Sequence, residues 1–320
     1  MQTPRLPVLQ SALHTTRAPF WRPVSTVLAG ACLATLAGCT GPALQATLSP
    51  STPPAAVVPA AAWPERLQQW LPADVLLLGE QHDAPDHQRL QRETVAWLAS
   101  RGQLAALVME MAERGHSTRG LPRDASEAQA QAALQWNDAA WPWKAYGPVV
   151  MAAVGAGVPV LGGNLPRTDM RAAMADTALD QHLPAPALAQ QYQAIRDGHC
   201  GLLPESQIAP MARIQIARDA SMARTAQETL RPGQTVLLVA GAGHVLRHLG
   251  VPTHWSAHLV SKVVIAQVEH APAAIESGAG TGAGAGTGAD AVVPTPALPP
   301  RDVCAELREQ WRPAPPGPKD

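Results

Sequence analysis

The chain has 320 residues, with 24 Lys and Arg against 25 Asp and Glu and a formal charge of −1 at pH 7. That balance gives no basis for a nucleic-acid partner, because neutralising phosphates takes a basic excess. Aromatic residues are few, with one Phe, two Tyr and nine Trp, so any tyrosine singled out is one of only two.

At the start of the chain Arg5, Arg17 and Arg22 precede an apolar run from Val24 to Leu36, which ends in LAGC, Leu36 to Cys39. A basic start, a short apolar stretch and small residues at a cut site are the pattern of a secretory signal, too short to span a membrane comfortably. LAGC resembles a bacterial lipobox, in which Cys39 would carry lipid. Thr40 follows it rather than Asp, which by the usual rule for such lipoproteins points to the outer membrane of the cell envelope. Residues 1–39 are therefore expected to be signal, and 40–62, rich in Pro, Ala, Ser and Thr, a tether. Residues 63–270 are expected to form one domain, and 271–320, which open on a Gly-rich run, a linker and tail. Export leaves Cys200 and Cys304, which an oxidising periplasm permits to pair. Free thiols or metal ligands are the alternatives, although neither cysteine has a CxxC neighbour.

Within the domain, apolar runs alternate with helical patterns. VLLLGE (75–80) is a strand. The segment 83–102 is a helix that Asp83 can cap, with Pro85 in its first turn and Gly102 at its end. LAALVMEM (104–111) is a second strand, and helices follow over 126–136 and 141–157. VPVLGGN (158–164) is a third strand, then come helices over 167–182 and 206–230. TVLLVAGAG (235–243) is a fourth strand, a short helix follows, and KVVIAQVE (262–269) is a last strand. Strands that are apolar throughout rather than alternating, separated by helices, predict an α/β fold: a three-layer α/β/α sandwich with a central, mainly parallel sheet.

Ligands of such sheets bind outside the carboxyl ends of the strands. Glu80 and His82 follow the first strand, Glu110 ends the second, Asn164 follows the third and His244 follows the fourth. Gly79, Gly241 and Gly243 allow sharp turns or close approach to backbone. The convergence of Glu80, His82, Glu110 and His244 therefore predicts a polar pocket, whereas His87, one helical turn on, reads as solvated. On the long helix, Ile208, Met211, Gln215, Arg218, Met222 and Ala226 share a face, so Arg218 interrupts an apolar stripe. It calls for an anionic partner: Asp219, Glu110 or a bound carboxylate. Trp143, Tyr146 and Val150 share another helical face and by residue chemistry read as core packing.

Taken in order, GEQHD, VMEM, the WxxY of Trp143 to Tyr146, VPVLGGNLPR, GHCGLLP, QIARDASMA and AGAGHVLRHLGVP form a pattern. It resembles the ChaN-like haem-binding lipoproteins of the Tiki/TraB/erythromycin-esterase-like superfamily, over roughly Leu71 to Gln267. The resemblance implies the same sandwich fold and haem binding in iron acquisition, with Tyr146 as the iron ligand. Lys144 and Arg167 would then meet the propionates, and Trp136, Trp141 and Trp143 would offer flat apolar surface. No CxxCH occurs, so attachment would be non-covalent. The expected partners are haem, the membrane through the lipid anchor and, as an open alternative, a second copy in a homodimer. The hydrolase branches of the superfamily imply a different use of the pocket. Glu80, His82, Glu110 and His244 would hold a divalent metal ion and activate water, with Arg218 stabilising an anionic intermediate. A metal-free acid/base variant would rest on His82 and Glu80.

Overall fold

The computed structural model describes residues 55–269 and 288–311. The signal segment, Cys39, the tether up to residue 54 and most of the Gly-rich run lie outside the described residues. Seven strands form one sheet: β1 (Ala56–Val57), β2 (Val75–Glu80), β3 (Leu104–Glu113), β4 (Val160–Asn164), β5 (Thr235–Gly241), β6 (Ser261–Val268) and β7 (Ala291–Thr295). Their order is β1-β7-β6-β2-β5-β3-β4, and every ladder is parallel. The helices are α1 (Trp63–Trp70), α2 (Pro85–Ser100), α3 (Glu127–Leu134), α4 (Trp143–Gly155), α5 (Met170–Ala175), α6 (Ala185–Gly198), α7 (Glu205–Gln227), α8 (Ala242–Val245) and α9 (Val303–Gln310).

The uniformly apolar strands follow from burial on both faces. Leu76, Leu78, Leu107, Met109, Leu237 and Val239 point to one side, into a core shared with α1 to α4. Their neighbours Val75, Leu77, Val108, Val236 and Leu238 point to the other, against α7 and α8. The result is the expected sandwich.

Local signals differ from expectation in several places. Asp83 does not cap α2: the N-cap is Ala84, with Pro85 supplying the first turn. Asp83 accepts instead from the Gln81 amide and pairs with Arg301 of the tail. The helix expected over 167–182 is broken into a 3-10 turn, α5 and a second 3-10 turn. The break falls at Asp176, whose carboxylate accepts from the Ala178 N–H. Helices α1 and α6 lie where none was expected.

The folded part also exceeds the expected 63–270. β7 pairs with β6, β1 pairs with β7, and α9 follows. Ala291 and Val293 are fully buried. Strand β7 is hard to recognise because Pro294 lacks an N–H; it is tolerated beyond the two-residue reach of β1. Cys200 and Cys304 are disulfide-bonded and tie α9 to the turn after α6.

Gly79 sets how closely α8 approaches β2. A Cβ there would lie 2.5 Å from Val245 Cγ2, 3.0 Å from Ile265 Cδ1 and 3.1 Å from the Ala242 Cα. Exposed Gly155, at the end of α4, has nothing within 4 Å of the same position. Gly79→Ala should therefore destabilise by about 1–3 kcal/mol through overpacking, while Gly155→Ala should stabilise by up to about 1 kcal/mol. Urea unfolding of the two variants checks the contrast.

Candidate functional site

The parallel register puts all strand C-termini at one edge. Glu80 on β2 lies level with Gly241 on β5. Side-chain alternation sends Glu80 to the α2/α4 side, with Leu76 and Leu78, and Glu110 to the α7 side, with Val108. Glu80 Oε1 accepts from the Tyr146 hydroxyl at 2.7 Å and from His82 Nδ1 at 2.8 Å. Its Oε2 accepts from Gln88 Nε2 at 3.0 Å and from Gln91 Nε2. On the other side of the sheet, Glu110 Oε2 accepts from the Gly241 N–H at 2.8 Å.

The two imidazoles are neighbours across this crevice. His82 Nε2 is 3.9 Å from Glu110 Oε2, and His244 Nε2 is 3.6 Å from Glu110 Oε1. His244 Nδ1 in turn donates to Asp219 Oδ1 at 2.6 Å. Each ring thus has its Nδ1 on one carboxylate and its Nε2 towards the shared Glu110. A carboxylate at Nδ1 fixes the tautomer and the ring orientation. Gly241 keeps the crevice narrow, since a Cβ there would lie 3.1 Å from His82 Nε2 and 3.6 Å from Glu110 Oε2.

Charge follows geometry. Burial works against a protonated His244, but the Asp219 and Glu110 carboxylates outweigh it and push its pKa up to about 9. Burial pushes Asp219 up to about 6 despite the His244 imidazolium beside it. At neutral pH this pair is an imidazolium facing a carboxylate. Burial opposes charge at His82 as well, yet the hydrogen bond to Glu80 and the charge of Glu110 raise its pKa. Burial alone would raise Glu110; His244, His82 and the Gly241 N–H together hold it below the usual carboxylate range.

Arg218 stands beside the cluster without an ion pair. Its Nη1 makes a long contact to Gln215 at 3.4 Å, and its buried Nε has no partner. The expected partners are engaged elsewhere: Asp219 holds His244, and Glu110 holds Gly241 and faces both rings. Arg218 acts on Glu110 through its charge.

Tyr146 is inside this network, 1% exposed. Burial, followed by the charge of Glu80, raises its pKa far above the ordinary phenol value, so it is a neutral donor. The tryptophans close around it rather than presenting open faces. Trp136 and Trp141 each lie 6.1 Å from the Tyr146 ring, Trp136 is edge-on to Trp143 at 5.1 Å, and Trp141 is edge-on to His82 at 4.8 Å. Lys144 is exposed, on the outer side of α4, and the exposed Arg167 pairs with Glu113 at 3.5 Å.

His87 is fully buried, not solvated. Its Nδ1 accepts from the Gln81 N–H at 2.9 Å and its Nε2 meets the Thr295 hydroxyl at 2.9 Å, linking the site loop to β7. Burial lowers its pKa and keeps it neutral. Four further site residues were not singled out from sequence: Asp219 as the partner of His244, Gln88, Gln91, and Tyr146 in its role as a donor to Glu80. The signal available for the glutamines was a pair of amides three residues apart on the buried stripe of α2.

Among the described residues, no group of three or more His, Cys, Asp or Glu side chains is placed to hold a metal ion. The four residues expected to do so are engaged with one another and with the surrounding amides.

The family profile described as "Haem-binding uptake, Tiki superfamily, ChaN" matches residues 66–254. The chain belongs to this family. The match runs from α1 to the 3-10 turn Val251–His254, so it contains the whole cluster and leaves β6, β7 and α9 outside. A solved structure described as "Cofacial heme binding to ChaN of Campylobacter jejuni" is similar in fold. Its TM-score is 0.54 at 24% identity, covering 65% of this chain and 86% of that one. No curated protein sequence matches this ChaN-family chain.

The raised pKa values of His244 and His82 set the sign of an alkaline response. A histidine held above its unfolded value near 6.5 contributes stability that is complete below that pH and lost as pH rises through the folded value. Unfolding free energy should fall between pH 6.5 and about 9. His244→Gln should flatten that decline, and Asp219→Asn, which breaks a buried pair, should destabilise by about 3–5 kcal/mol at pH 6.5. Denaturant titrations at the two pH values read both effects.

Proposed function

We propose that the chain is a haem-binding lipoprotein of the bacterial cell envelope, serving haem and iron acquisition. The observation that carries the reading is membership of the ChaN family across residues 66–254. The LAGC lipobox with Cys39, followed by Thr40, supports anchoring to the outer membrane, and the Cys200–Cys304 disulfide suits an oxidising compartment. Attachment of haem is non-covalent in this proposal, since the sequence has no CxxCH. Association of two copies around the ligand belongs to the same proposal and is read by mass measurement with and without haemin.

Tyr146 does not fit the part of iron ligand in this geometry. Ligation uses the phenolate, whereas here a buried neutral phenol donates to Glu80. Titration of the purified chain with haemin should produce a Soret band, and Tyr146→Phe should retain it. A wild-type protein that produces no Soret change has no haem function.

A second reading is favoured by one specific arrangement. The His82 side chain is 39% exposed, its Nδ1 is held by buried Glu80, and its Nε2 is directed towards the crevice. This is the geometry of a general acid/base without a metal. If it hydrolyses esters, His82→Ala should lower turnover of a p-nitrophenyl ester panel by about a hundredfold or more, with no effect of chelator. Equal rates in wild type and variant would remove this activity.

A further inference from the structure

The chain beyond the family match ends on a segment that is held in place without a core of its own. From Pro296 to Trp311 no side chain is buried: Leu298, Cys304 and Leu307 are half-buried and the rest exposed. Helix α9 is eight residues long, too short to persist in water by itself. Apolar burial therefore does little to position it. Its place is set by Arg301, which pairs with Asp83 at 3.2 Å and binds Glu306, and by Cys304, which is bonded to Cys200. Trp311 follows, 6.4 Å from the His199 ring.

These fastenings belong to opposite faces of the sheet. Asp83 leads from β2 into α2, which packs on the face of Leu76 and Leu78. Cys200 lies in the turn between α6 and α7, and α7 packs on the face of Val236 and Leu238. Helix α7 leads back into parallel strand β5, so that turn stands at the carboxyl edge of the strands, as Asp83 does. Residues 301–304 thus cross this edge next to His82. Both neighbours of His82 are tied to the C-terminal chain. Asp83 pairs with Arg301, and the Gln81 N–H donates to His87, whose Nε2 meets Thr295 on β7. Buried Thr295 is a fixed post, while Arg301 sits on the segment that lacks a core. A cavity of about 920 Å³ lies behind α7, lined by α5, α7, β4 and the segment 114–119. Its wall contains no residue of 296–311, so the segment stands over the crevice and not over that cavity.

We propose that residues 296–311 are a strap across the crevice and that the Cys200–Cys304 disulfide is its redox latch. Both cysteines are half-buried beside the exposed residues Gly201 and Ala305, within reach of a dithiol reductant. One thiolate of the dithiol attacks a sulfur of the bridge, forming a mixed disulfide and freeing one cysteine. The second thiol of the reductant then displaces the other cysteine. The dithiol leaves as a disulfide, and its two electrons and two protons reside on Cys200 and Cys304 as thiols. Arg301 and Asp83 are both exposed, and an exposed ion pair holds weakly. Once the bridge opens, the strap leaves Asp83 and the His82 loop loses one of its two ties. Re-oxidation closes it. Arg301 is in this scheme a positioning residue, acting on His82 through Asp83.

The test compares the full chain oxidised and reduced with dithiothreitol, with free thiols at Cys200 and Cys304 counted by mass. Hydrogen exchange and the modification of His82 by diethyl pyrocarbonate are both read on peptides. Reduction should speed exchange over 301–311 by about tenfold or more and His82 modification by about threefold, while β2 and β5 stay protected. Cys200→Ser/Cys304→Ser should match the reduced chain without reductant, and reduced wild type gives the same reading if that variant does not fold. Arg301→Ala should speed His82 modification by about twofold yet leave α9 protected, because the bridge remains. The proposal is overturned if dithiothreitol leaves the bridge intact in the folded chain, or if α9 keeps its protection once both thiols are free. It is equally overturned if His82 reacts at one rate in both states, or if β2 and β5 lose protection together with α9.

Discussion

The buried carboxylate of Glu110 is the constraint around which the strand ends are arranged. An ionised carboxylate that is 3% exposed is tolerable only where charge and hydrogen bonds compensate it. Its compensation comes from three chain segments: the Gly241 N–H of β5, His244 on the turn beyond it, and His82 on the loop after β2. Glu110 sits where the β3–β4 register shifts, and its own carbonyl accepts from the Asn164 side-chain amide, so the groups that serve its carboxylate come from other segments. Satisfying one side chain of β3 therefore fixes the paths of two loops. The glycines follow from this. A side chain at Gly241 would enter the gap between Glu110 and His82, and one at Gly250 would run into the His244 backbone, with its Cβ 2.0 Å from the carbonyl oxygen. Gly79 plays the corresponding part for α8 against β2.

Around Glu110 the two halves are alike in plan and unlike in solvation. Glu80 holds His82 as Asp219 holds His244, yet the His82 side chain is 39% exposed and that of His244 14%. The buried ring makes a charged pair with Asp219 and acts chiefly as a strut between α7 and β5. The exposed ring stands at the rim, where a proton can be exchanged with solvent or ligand. Gln88, Gln91 and Tyr146 serve Glu80 by supplying donors, so both oxygens of that buried carboxyl group are satisfied. Tyr146 is then explained by the needs of Glu80. The tryptophan box completes the enclosure and excludes water from that hydrogen bond.

The strands from β2 to β6 and the convergence of Glu80, His82, Glu110 and His244 were legible because they depend on local patterns. Continuous apolar runs report burial on two faces, and polar residues just beyond them report a strand end. What was not legible depends on contacts distant in sequence. Nothing near Asp219 identifies it as the partner of a histidine 25 residues away, and Arg218 beside it drew attention as the charge on an apolar stripe. His87 read as solvated because its partner, Thr295, lies 208 residues away. Strand β7 was hidden by Pro294 and by the low-complexity run that precedes it. Asp83 had the chemistry of a helix cap, but Pro85 already set the first turn and Arg301 competed for the carboxylate. The cavity had no sequence signature, since its lining comes from four separated segments and consists largely of alanines.

Helix α7 is the partition that lets both features exist in one domain. It runs from Glu205 to Gln227, long enough to flank the sheet and to present two unlike faces. One face packs Ile216, Met222 and Ala226 against the strands and inserts Asp219 and Arg218 beside Glu110. The other carries small residues towards α5 and leaves Ser221 with an unanswered hydroxyl. A bulkier residue on the second face would close the cavity without touching the charge network. Loss of Asp219 on the first would leave the buried His244 with Glu110 as its one carboxylate partner, without altering the cavity wall. The charge network and the cavity, whose wall includes Ser221 and Arg224, are thus separable in physical terms.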